Sequence, residues 1–254
     1  MLAVAALAAR CRAPDPGAAA DPALRWYKGN THTHTLWSDG NAAPELVADW
    51  YRERGYHFLV LSDHNLLSEG ERWFPIEADG RLRPEHVDDL RERFGERAVR
   101  VREGDDGPEM RLATLDELRE RFERRREFRF IQGEEITDSF EDRPVHVNGL
   151  NLAERIDPQG GASLRETLQR NIDAVIEQGR RLRRPVLAHV NHPNFRWGLG
   201  WEDVAAVRGE RFFEVYNGHS GVRNYGDEEH PSTERMWDLA NARRLGELGL
   251  EPLF

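Results

Sequence analysis

The sequence contains almost no cysteine, fewer basic than acidic residues, and no long apolar run. Cys11 is the only cysteine in 254 residues, which excludes an internal disulfide and a thiolate zinc cluster. The 36 basic and 46 acidic residues leave a formal charge of −10, the wrong sign for neutralising a phosphate backbone, so no nucleic-acid scaffold role is expected. No segment of about twenty apolar residues is present to span a membrane. Any metal ion must therefore be held by histidines and carboxylates.

The first 24 residues resemble a signal peptide followed by a tether. Residues 2–9 are an uninterrupted apolar run, and residues 13–23 are rich in alanine, proline and aspartate. We therefore expect export to the periplasm, the exterior or a lipid anchor. Two features favour a cytoplasmic protein with a frayed alanine-rich start: no basic residue precedes the run, and Arg10 occupies the position before Cys11 where a lipid-attachment signal needs a small residue.

From Trp26 onward, apolar segments of strand length alternate with helical patterns, which predicts an α/β fold with a parallel sheet over residues 25–254. The 39% apolar content is sufficient for one sizeable core. Residues 69–126 are highly charged and are interpreted as an insertion. The predicted strands cover residues 56–61, 128–132, 145–152, 185–190 and 211–216, and the clearest helices begin at Pro44, after Ser163 and at Thr233.

The histidines are concentrated where the predicted strands end. In parallel β/α barrels this is the face on which active sites are built, so we expect the histidines to share one site. His146, early in its strand, fits this rule least well. The others are His32, His34, His64, His189 and His192.

Two imidazoles of the segment His32-Thr33-His34 lie on the same side of an extended chain, because side chains alternate with period two. Both can reach one cation, although such a pair also occurs on polar surface strands. Carboxylates at Asp39, Asp63 and the pair Glu134-Glu135 follow at strand ends. Since a carboxylate can bridge two cations, the combination favours a site for several divalent metals.

Five ordered motifs resemble those of the PHP (polymerase and histidinol phosphatase) metallohydrolases, closest to the CehA/McbA-like branch of carbaryl hydrolases. They are residues 29–40 (GNTHTHTLWSDG), 61–65 (LSDHN), 133–137 (GEEIT), 146–150 (HVNGL) and 191–194 (NHPN), with a further match at 214–218 (EVYNG). The resemblance implies a distorted (β/α)7 barrel and up to three divalent cations, which would be zinc, manganese or iron.

The resemblance also implies a ligand set and a missing segment. Glu135 would bridge metals, since the family pattern places the ligand second in this pair, and Glu134 is expected to be solvated. The family's last motif, an Asp-x-His after a further strand, is absent, so the chain is expected to be C-terminally incomplete, with its first two metals each lacking a ligand. The implied ligands are His32, His34 and Glu135 for one metal, Asp39 and His64 for a second, and Glu135, His146 and His192 for a third.

Weaker candidates surround these ligands. Asp63 is expected to orient an imidazole and, with His192, to act in catalysis. His189 is equally interpretable as a core histidine, and the other candidates as residues with ordinary loop hydrogen bonds. The candidates for contact with a substrate oxyanion are Lys28, Asn148, His189, Asn191, Arg196, Asn217 and His219.

These inferences predict a divalent-metal-dependent hydrolase that uses a metal-activated water on a small-molecule substrate. Phosphoesters are the expected substrates, because multiple cations suit a charged phosphoryl group and the resembled family chiefly cleaves them. Two alternatives stay open. One is ester or carbamate hydrolysis of the carbaryl-hydrolase type, and the other is metal or ligand binding without turnover.

Overall fold

The computed structural model describes residues 25–254, and the predicted signal peptide or tether lies outside them. Most predicted helices and strands are present, with shifted ends. The strands are β1 (Gly29–Asn30), β2 (Phe58–Leu61), β3 (Trp73–Pro75), β4 (Val101–Gly104), β5 (Gly107–Arg111), β6 (Arg129–Phe140), β7 (Arg143–Leu150) and β8 (Leu187–Val190). The helices are α1 (Pro44–Glu53), α2 (Pro84–Phe94), α3 (Leu115–Phe122), α4 (Leu164–Leu182), α5 (Trp201–Ala206) and α6 (Thr233–Arg243), with a 3-10 turn at Glu96–Ala98 and a π-helical turn at Arg244–Leu248.

The main sheet has the order β1-β2-β6-β7-β8 and is curled. Its first three strands are parallel, whereas β7 is antiparallel to both β6 and β8. Curling brings Glu214, beyond β8 at one edge, to 3.1 Å from His32, just after β1 at the other. The sheet is therefore a half-barrel with mixed strand directions.

The predicted (β/α)7 barrel is wrong, because the described residues contain no complete barrel. A tight turn at Glu141-Asp142 joins β6 directly to β7, where a parallel barrel requires a helical crossover. The predicted strand 211–216 is reduced to one parallel bridge between Phe213 and Val190. Residue 254 exchanges backbone hydrogen bonds with residues 211 and 213 beside it.

Helix α4 begins where the sequence predicts. The Ser163 hydroxyl accepts a hydrogen bond from the Glu166 backbone N–H, satisfying a donor that the first helical turn leaves free. Its apolar face, including Leu168, Ile172 and Val175, is completely buried in the core shared with β7 and β8. This packing fixes the position of β7, which carries His146, and of β8, which His192 follows.

Most of the charged segment 69–126 folds into a small unit beside the main sheet. Strands β3, β5 and β4 form an antiparallel sheet in that order, and α2 contributes Val87 and Leu90 to the same core as Leu36. The Trp37 indole N–H donates to the carbonyl of Ala113 at 2.9 Å. These contacts anchor the loop after β1. No helix among residues 25–254 is long and apolar enough to cross a bilayer.

Candidate metal centre

Glu135, on β6, lies at the centre of the histidine cluster. Its side chain is fully buried, and its two carboxylate oxygens face five imidazoles. Oε1 faces three of them and Oε2 the other two. The nitrogen–oxygen distances are 3.3 Å for His32, 3.1 Å for His34, 2.9 Å for His64, 3.2 Å for His146 and 3.1 Å for His192.

The segment after β1 supplies two of these imidazoles. His32 and His34 project to one side, with ring centroids 5.1 Å apart, while Thr33 and Thr35 are buried on the other. This is the predicted period-two alternation. Asp39, later in the same loop, places one oxygen 2.7 Å from His34 Nδ1 and the other 3.4 Å from His64 Nε2. The loop thus adds a second carboxylate to the cluster.

Asp63 holds this loop in place. Its Oδ1 accepts hydrogen bonds from the Thr35 backbone N–H (2.8 Å) and the Ser38 hydroxyl (2.6 Å), and its Oδ2 accepts from the Thr35 hydroxyl (2.9 Å). No imidazole is among these hydrogen-bond partners, so Asp63 acts on His34 only by holding the loop that carries it. Both oxygens of the Asp63 carboxylate accept hydrogen bonds from the loop. The carboxylate is buried and does not line the cavity. Burial raises the pKa of Asp63, and the Ser38 and Thr35 hydrogen bonds oppose that rise.

His64 follows β2 and forms a parallel bridge with Glu135. The next residue, Asn65, has a positive φ of 52°, a conformation that asparagine tolerates better than most residues. Its side chain exchanges hydrogen bonds of 2.8 and 3.0 Å with the backbone of Thr137. This exchange ties the end of β2 to β6.

The antiparallel direction of β7 explains why His146 comes early in its strand. His146 is opposite Thr137 in the β6–β7 ladder, so the start of β7 lies at the same end of the sheet as the end of β2. His192 follows β8, and its ring centroid lies 5.1 Å from that of His146. Residues from five segments therefore meet at one edge.

Several close pairs in this cluster are not hydrogen bonds. His34 Nε2, His146 Nδ1 and Glu135 Oε2 are buried without a hydrogen-bond partner, although each lies 2.9–3.2 Å from an opposing polar atom. Lone pairs directed to a common point, rather than at each other, give this pattern. Ligand atoms on one tetrahedral zinc ion lie about 3.3 Å apart, since its bonds to nitrogen are about 2.0–2.1 Å long. The residues therefore fit divalent cations.

Among residues 25–254, four groups of three residues bring ligand atoms close enough together to share an ion. Two of them are ligand triads implied by the family resemblance. One adds His34 to the implied pair of Asp39 and His64, and one is new because it contains Glu214. The groups are His32–His34–Glu135, Glu135–His146–His192, His34–Asp39–His64 and His32–His192–Glu214.

Glu214 is a site residue that sequence reasoning missed. Its Oε1 lies 3.1 Å from His32 Nδ1 and accepts a hydrogen bond from the Asn217 side chain at 3.1 Å. Its Oε2 accepts a hydrogen bond from the His192 backbone N–H at 2.9 Å. His32 therefore lies between two carboxylates, with Nε2 towards Glu135 and Nδ1 towards Glu214. A carboxylate in this position fixes the tautomer and orientation of a metal-binding imidazole.

The carboxylates shift the pKa values in the cluster. Burial opposes protonation of His32, but Glu135 and Glu214 outweigh it and raise the pKa of His32 to about 10. Burial likewise opposes ionisation of the two glutamates, yet the neighbouring histidines hold the pKa of Glu135 well below its ordinary value and that of Glu214 at about 2. For His146 burial prevails and lowers the pKa. The carboxylates of Glu135 and Glu214 are therefore ionised at neutral pH.

Three predicted substrate contacts lie behind the cluster instead of facing its cavity. The Asn191 side chain donates to Glu135 Oε1 at 2.7 Å and to Asn148 Oδ1 at 2.9 Å. Asn148 donates in turn to the Thr31 carbonyl at 2.8 Å and lies next to His189. All three are buried, and burial lowers the pKa of His189 to about 4. They form a supporting layer that orients Glu135.

The cavity at the centre has a volume of about 320 Å³. Asn217 and His219 line it, as predicted for substrate contacts, together with Phe195, which the sequence did not suggest. Arg196 lines an adjoining cavity that shares His64, His146 and Phe195. The open space therefore extends from the cluster along the β6–β7 hairpin.

Two predicted placements are wrong. The Lys28 backbone N–H donates to His57, which precedes β2, and its side chain donates to the Arg54 carbonyl. Lys28 is therefore at the opposite end of the sheet from the cluster. Glu134, predicted to be solvated, is fully buried because it projects from the other face of β6. Its Oε1 accepts the Ile156 backbone N–H at 2.6 Å, and burial raises its pKa to about 7.

Comparison with known proteins identifies no family. A scan against protein-family models finds no match, and a search of curated proteins finds none.

Proposed function

We propose that this protein is a divalent-metal-dependent hydrolase that acts on phosphoesters. The observation that carries the proposal is the buried carboxylate of Glu135 facing five imidazoles, with lone pairs left without hydrogen bonds. Asp39 and Glu214 add two further carboxylates at its edge. The resemblance of the five sequence motifs to PHP metallohydrolases supports the same reading.

Different residues of the chain would bind the ions, orient a ligand and contact the substrate. Glu135 and the histidines around it would hold the ions, and Glu214 would keep His32 in the tautomer that presents Nε2 to the site. Bound divalent cations would supply Lewis-acid chemistry, polarising a phosphoryl oxygen and acidifying water. Asn217 and His219, on the open side of the cavity, are placed to contact the substrate's remaining oxygens.

A phosphoryl group suits this cavity because its lining includes several imidazoles and the Asn217 amide, while Arg196 borders the adjoining space. Two or more cations would neutralise the charge that develops on the phosphoryl oxygens during displacement. No serine or cysteine lines the cavity among the described residues, which favours direct attack by water over a covalent route through a hydroxyl or thiol.

One observation favours ester or carbamate hydrolysis as a second candidate. Phe195 and Val222 line the same cavity and offer apolar surface against which a neutral aryl leaving group can pack. The same ions would then polarise a carbonyl oxygen instead of a phosphoryl oxygen. The two candidates differ in the charge of the substrate.

The test is a substrate panel with the full chain loaded with manganese or zinc. Suitable substrates are p-nitrophenyl phosphate, bis(p-nitrophenyl) phosphate and p-nitrophenyl acetate. We expect turnover of a phosphoester that His64→Ala abolishes and His57→Ala leaves unchanged, since His57 lies at the far end of the sheet. Turnover of the acetate alone would favour the second candidate. Stoichiometric metal with no turnover of any substrate would leave a metal-binding protein and refute the hydrolase.

A further inference from the structure

A second cavity lies in the part of the chain that packs beside the main sheet. It has a volume of about 380 Å³ and shares no lining residue with the candidate metal centre. The first turn of α1, the turn at Glu96–Ala98, the end of β5 and helix α3 surround it. Its lining is dominated by four arginines, Arg97, Arg100, Arg111 and Arg121, and three glutamates.

One arginine and one glutamate of this cavity neutralise each other. Arg111 Nη1 donates to both oxygens of Glu117, at 2.8 and 3.0 Å. Glu117 also accepts the Thr114 backbone N–H at 2.8 Å as part of the cap of α3. Arg97 and Arg100 are exposed, and neither forms an ion pair with a carboxylate of residues 25–254. Their positive charge is therefore free to act on a ligand.

Arg121 presents a buried donor that has no acceptor. Its guanidinium lies 5.6 Å from the Phe94 ring centroid and 5.9 Å from that of Phe122, which fixes its direction. Within the described part of the chain, Nη1 is buried without a hydrogen-bond partner, and its nearest carboxylate oxygen, Glu45 Oε1, is 3.9 Å away. Because a buried donor without an acceptor is destabilising, a ligand oxygen bound at this position would be stabilising.

Glu45 contributes a buried hydrogen-bond acceptor without a donor to the same cavity. The residue is only 4% exposed, and Oε2 is buried without a hydrogen-bond partner among residues 25–254. Burial raises the pKa of Glu45 to about 7, so its carboxylate is mostly ionised at pH 8. The third glutamate, Glu120, is exposed at the rim. A matching ligand must therefore offer acceptors to the arginines and one proton to Glu45.

We propose that this cavity binds inorganic phosphate as the monohydrogen dianion. Its unprotonated oxygens would accept hydrogen bonds from Arg97, Arg100 and Arg121, and its remaining P–OH would donate to Glu45 Oε2. Sulfate has the same shape and charge but no proton at pH 8. A phosphomonoester is also unprotonated there, since its second pKa is about 6. Both would place an oxygen lone pair against the carboxylate, so Glu45 selects against them.

The proposal is independent of the proposed hydrolase activity and can be tested separately. Isothermal titration calorimetry at pH 8 would use the full chain, both chelator-treated and metal-loaded, with phosphate, sulfate and methyl phosphate as probes. We expect saturable binding of phosphate to both preparations, and about tenfold weaker binding of sulfate and methyl phosphate to the chelator-treated chain, because Glu45 must take up a proton at pH 8 to receive either one.

Three variants locate the site. The double substitution Arg97→Gln/Arg100→Gln should weaken phosphate binding by roughly a hundredfold or more, since it removes two charge-assisted hydrogen bonds at once. Arg125→Gln, at an exposed arginine outside the cavity, should leave it unchanged. Glu45→Gln should gain sulfate binding, because an amide can donate a hydrogen bond. Circular dichroism checks that each variant is folded.

Any of three results would overturn the proposal. One is equal affinity of the chelator-treated chain for phosphate and sulfate, which would remove the role of Glu45. Another is phosphate binding that survives in the double arginine variant, which would place the anion elsewhere, including the metal centre. The third is the absence of saturable phosphate binding to the chelator-treated chain.

Discussion

Neighbouring glutamates on opposite faces of β6 provide a matched pair of isosteric substitutions. Glu135→Gln removes the charge that the cluster surrounds, and its amide N–H groups would face nitrogen lone pairs and bound ions. We expect the metal content to fall from two or more ions per chain to less than one, because an amide cannot bridge two cations. Glu134→Gln should leave the metal content unchanged, since Glu134 projects away from the cluster.

The same pair should also differ in stability. The pKa of Glu134 is raised by burial from its ordinary value of 4.5 to about 7. A carboxyl whose folded-state pKa is raised destabilises the fold progressively as the pH rises from 4.5 to 7, and the full cost, about 3 kcal/mol for 2.5 pKa units, applies above pH 7. Glutamine keeps the acceptor for Ile156 but leaves an N–H group unpaired, which costs about 1 kcal/mol. Glu134→Gln should therefore raise the free energy of unfolding by about 2 kcal/mol at pH 8.

The assays are elemental analysis after reconstitution and urea unfolding of the chelator-treated proteins at pH 8. Equal metal loss in the two variants would refute the assignment of Glu135 as the bridging residue. A Glu134→Gln protein less stable than the parent would refute the burial argument.

Three further predictions concern the surroundings of the centre. Glu214→Gln should lower metal affinity ten- to a hundredfold in a chelator competition without changing the circular dichroism spectrum. The substitution removes the negative charge facing His32 Nδ1 and leaves one acceptor oxygen for His32 and the His192 backbone N–H. Unchanged affinity would argue against this role. Glu210 has a pKa raised by burial to about 8, so its contribution to stability is greatest below pH 4.5 and is lost as the pH rises through 8. The parent should lose about 2 kcal/mol more than Glu210→Gln between pH 6 and 9, and parallel pH profiles in urea unfolding would contradict this. Asp63→Asn should cost about 1–3 kcal/mol in the same unfolding assay, because the loop holding His34 loses a charged acceptor, whereas Asp88→Asn, at an exposed position of α2, should cost almost nothing.

Local patterns in the sequence predicted the parts of the site that depend on local geometry. The alternation in His32-Thr33-His34 places both imidazoles on one side, because it follows from extended backbone alone. The start of α4 at Ser163 is likewise a consequence of capping chemistry within four residues. Predictions of such local features are correct even though the predicted strand topology is wrong.

Strand direction could not be read from the same patterns. The sequence predicts a strand over residues 128–132, whereas β6 continues to Phe140, and a turn with Glu141 at a φ of 55° reverses the chain into β7. Glutamate is not typical of that backbone conformation, so this position does not predict a hairpin turn. The early position of His146, which conflicted with a parallel strand, was the available evidence for the antiparallel direction.

Long-range contacts account for the remaining differences. Glu214 reaches His32 across 182 positions of the chain, and only curling of the sheet brings them together. Asp63 was assigned to an imidazole from adjacency to His64, whereas its partners, Thr35 and Ser38, come from another loop. The error for Lys28 has another cause and was avoidable from the sequence. Lys28 precedes β1, so it lies at the end of the sheet opposite the histidines that follow the strands.

The most direct test of the central claim is turnover of p-nitrophenyl phosphate by the chelator-treated chain as manganese or zinc is added in measured equivalents. If the Glu135 cluster is a hydrolytic metal centre, activity should be absent at the start, rise until two or more ions are bound per chain, and disappear again on adding chelator. Activity that is present without metal, or a chain that binds its ions fully and hydrolyses no phosphoester, would contradict the account.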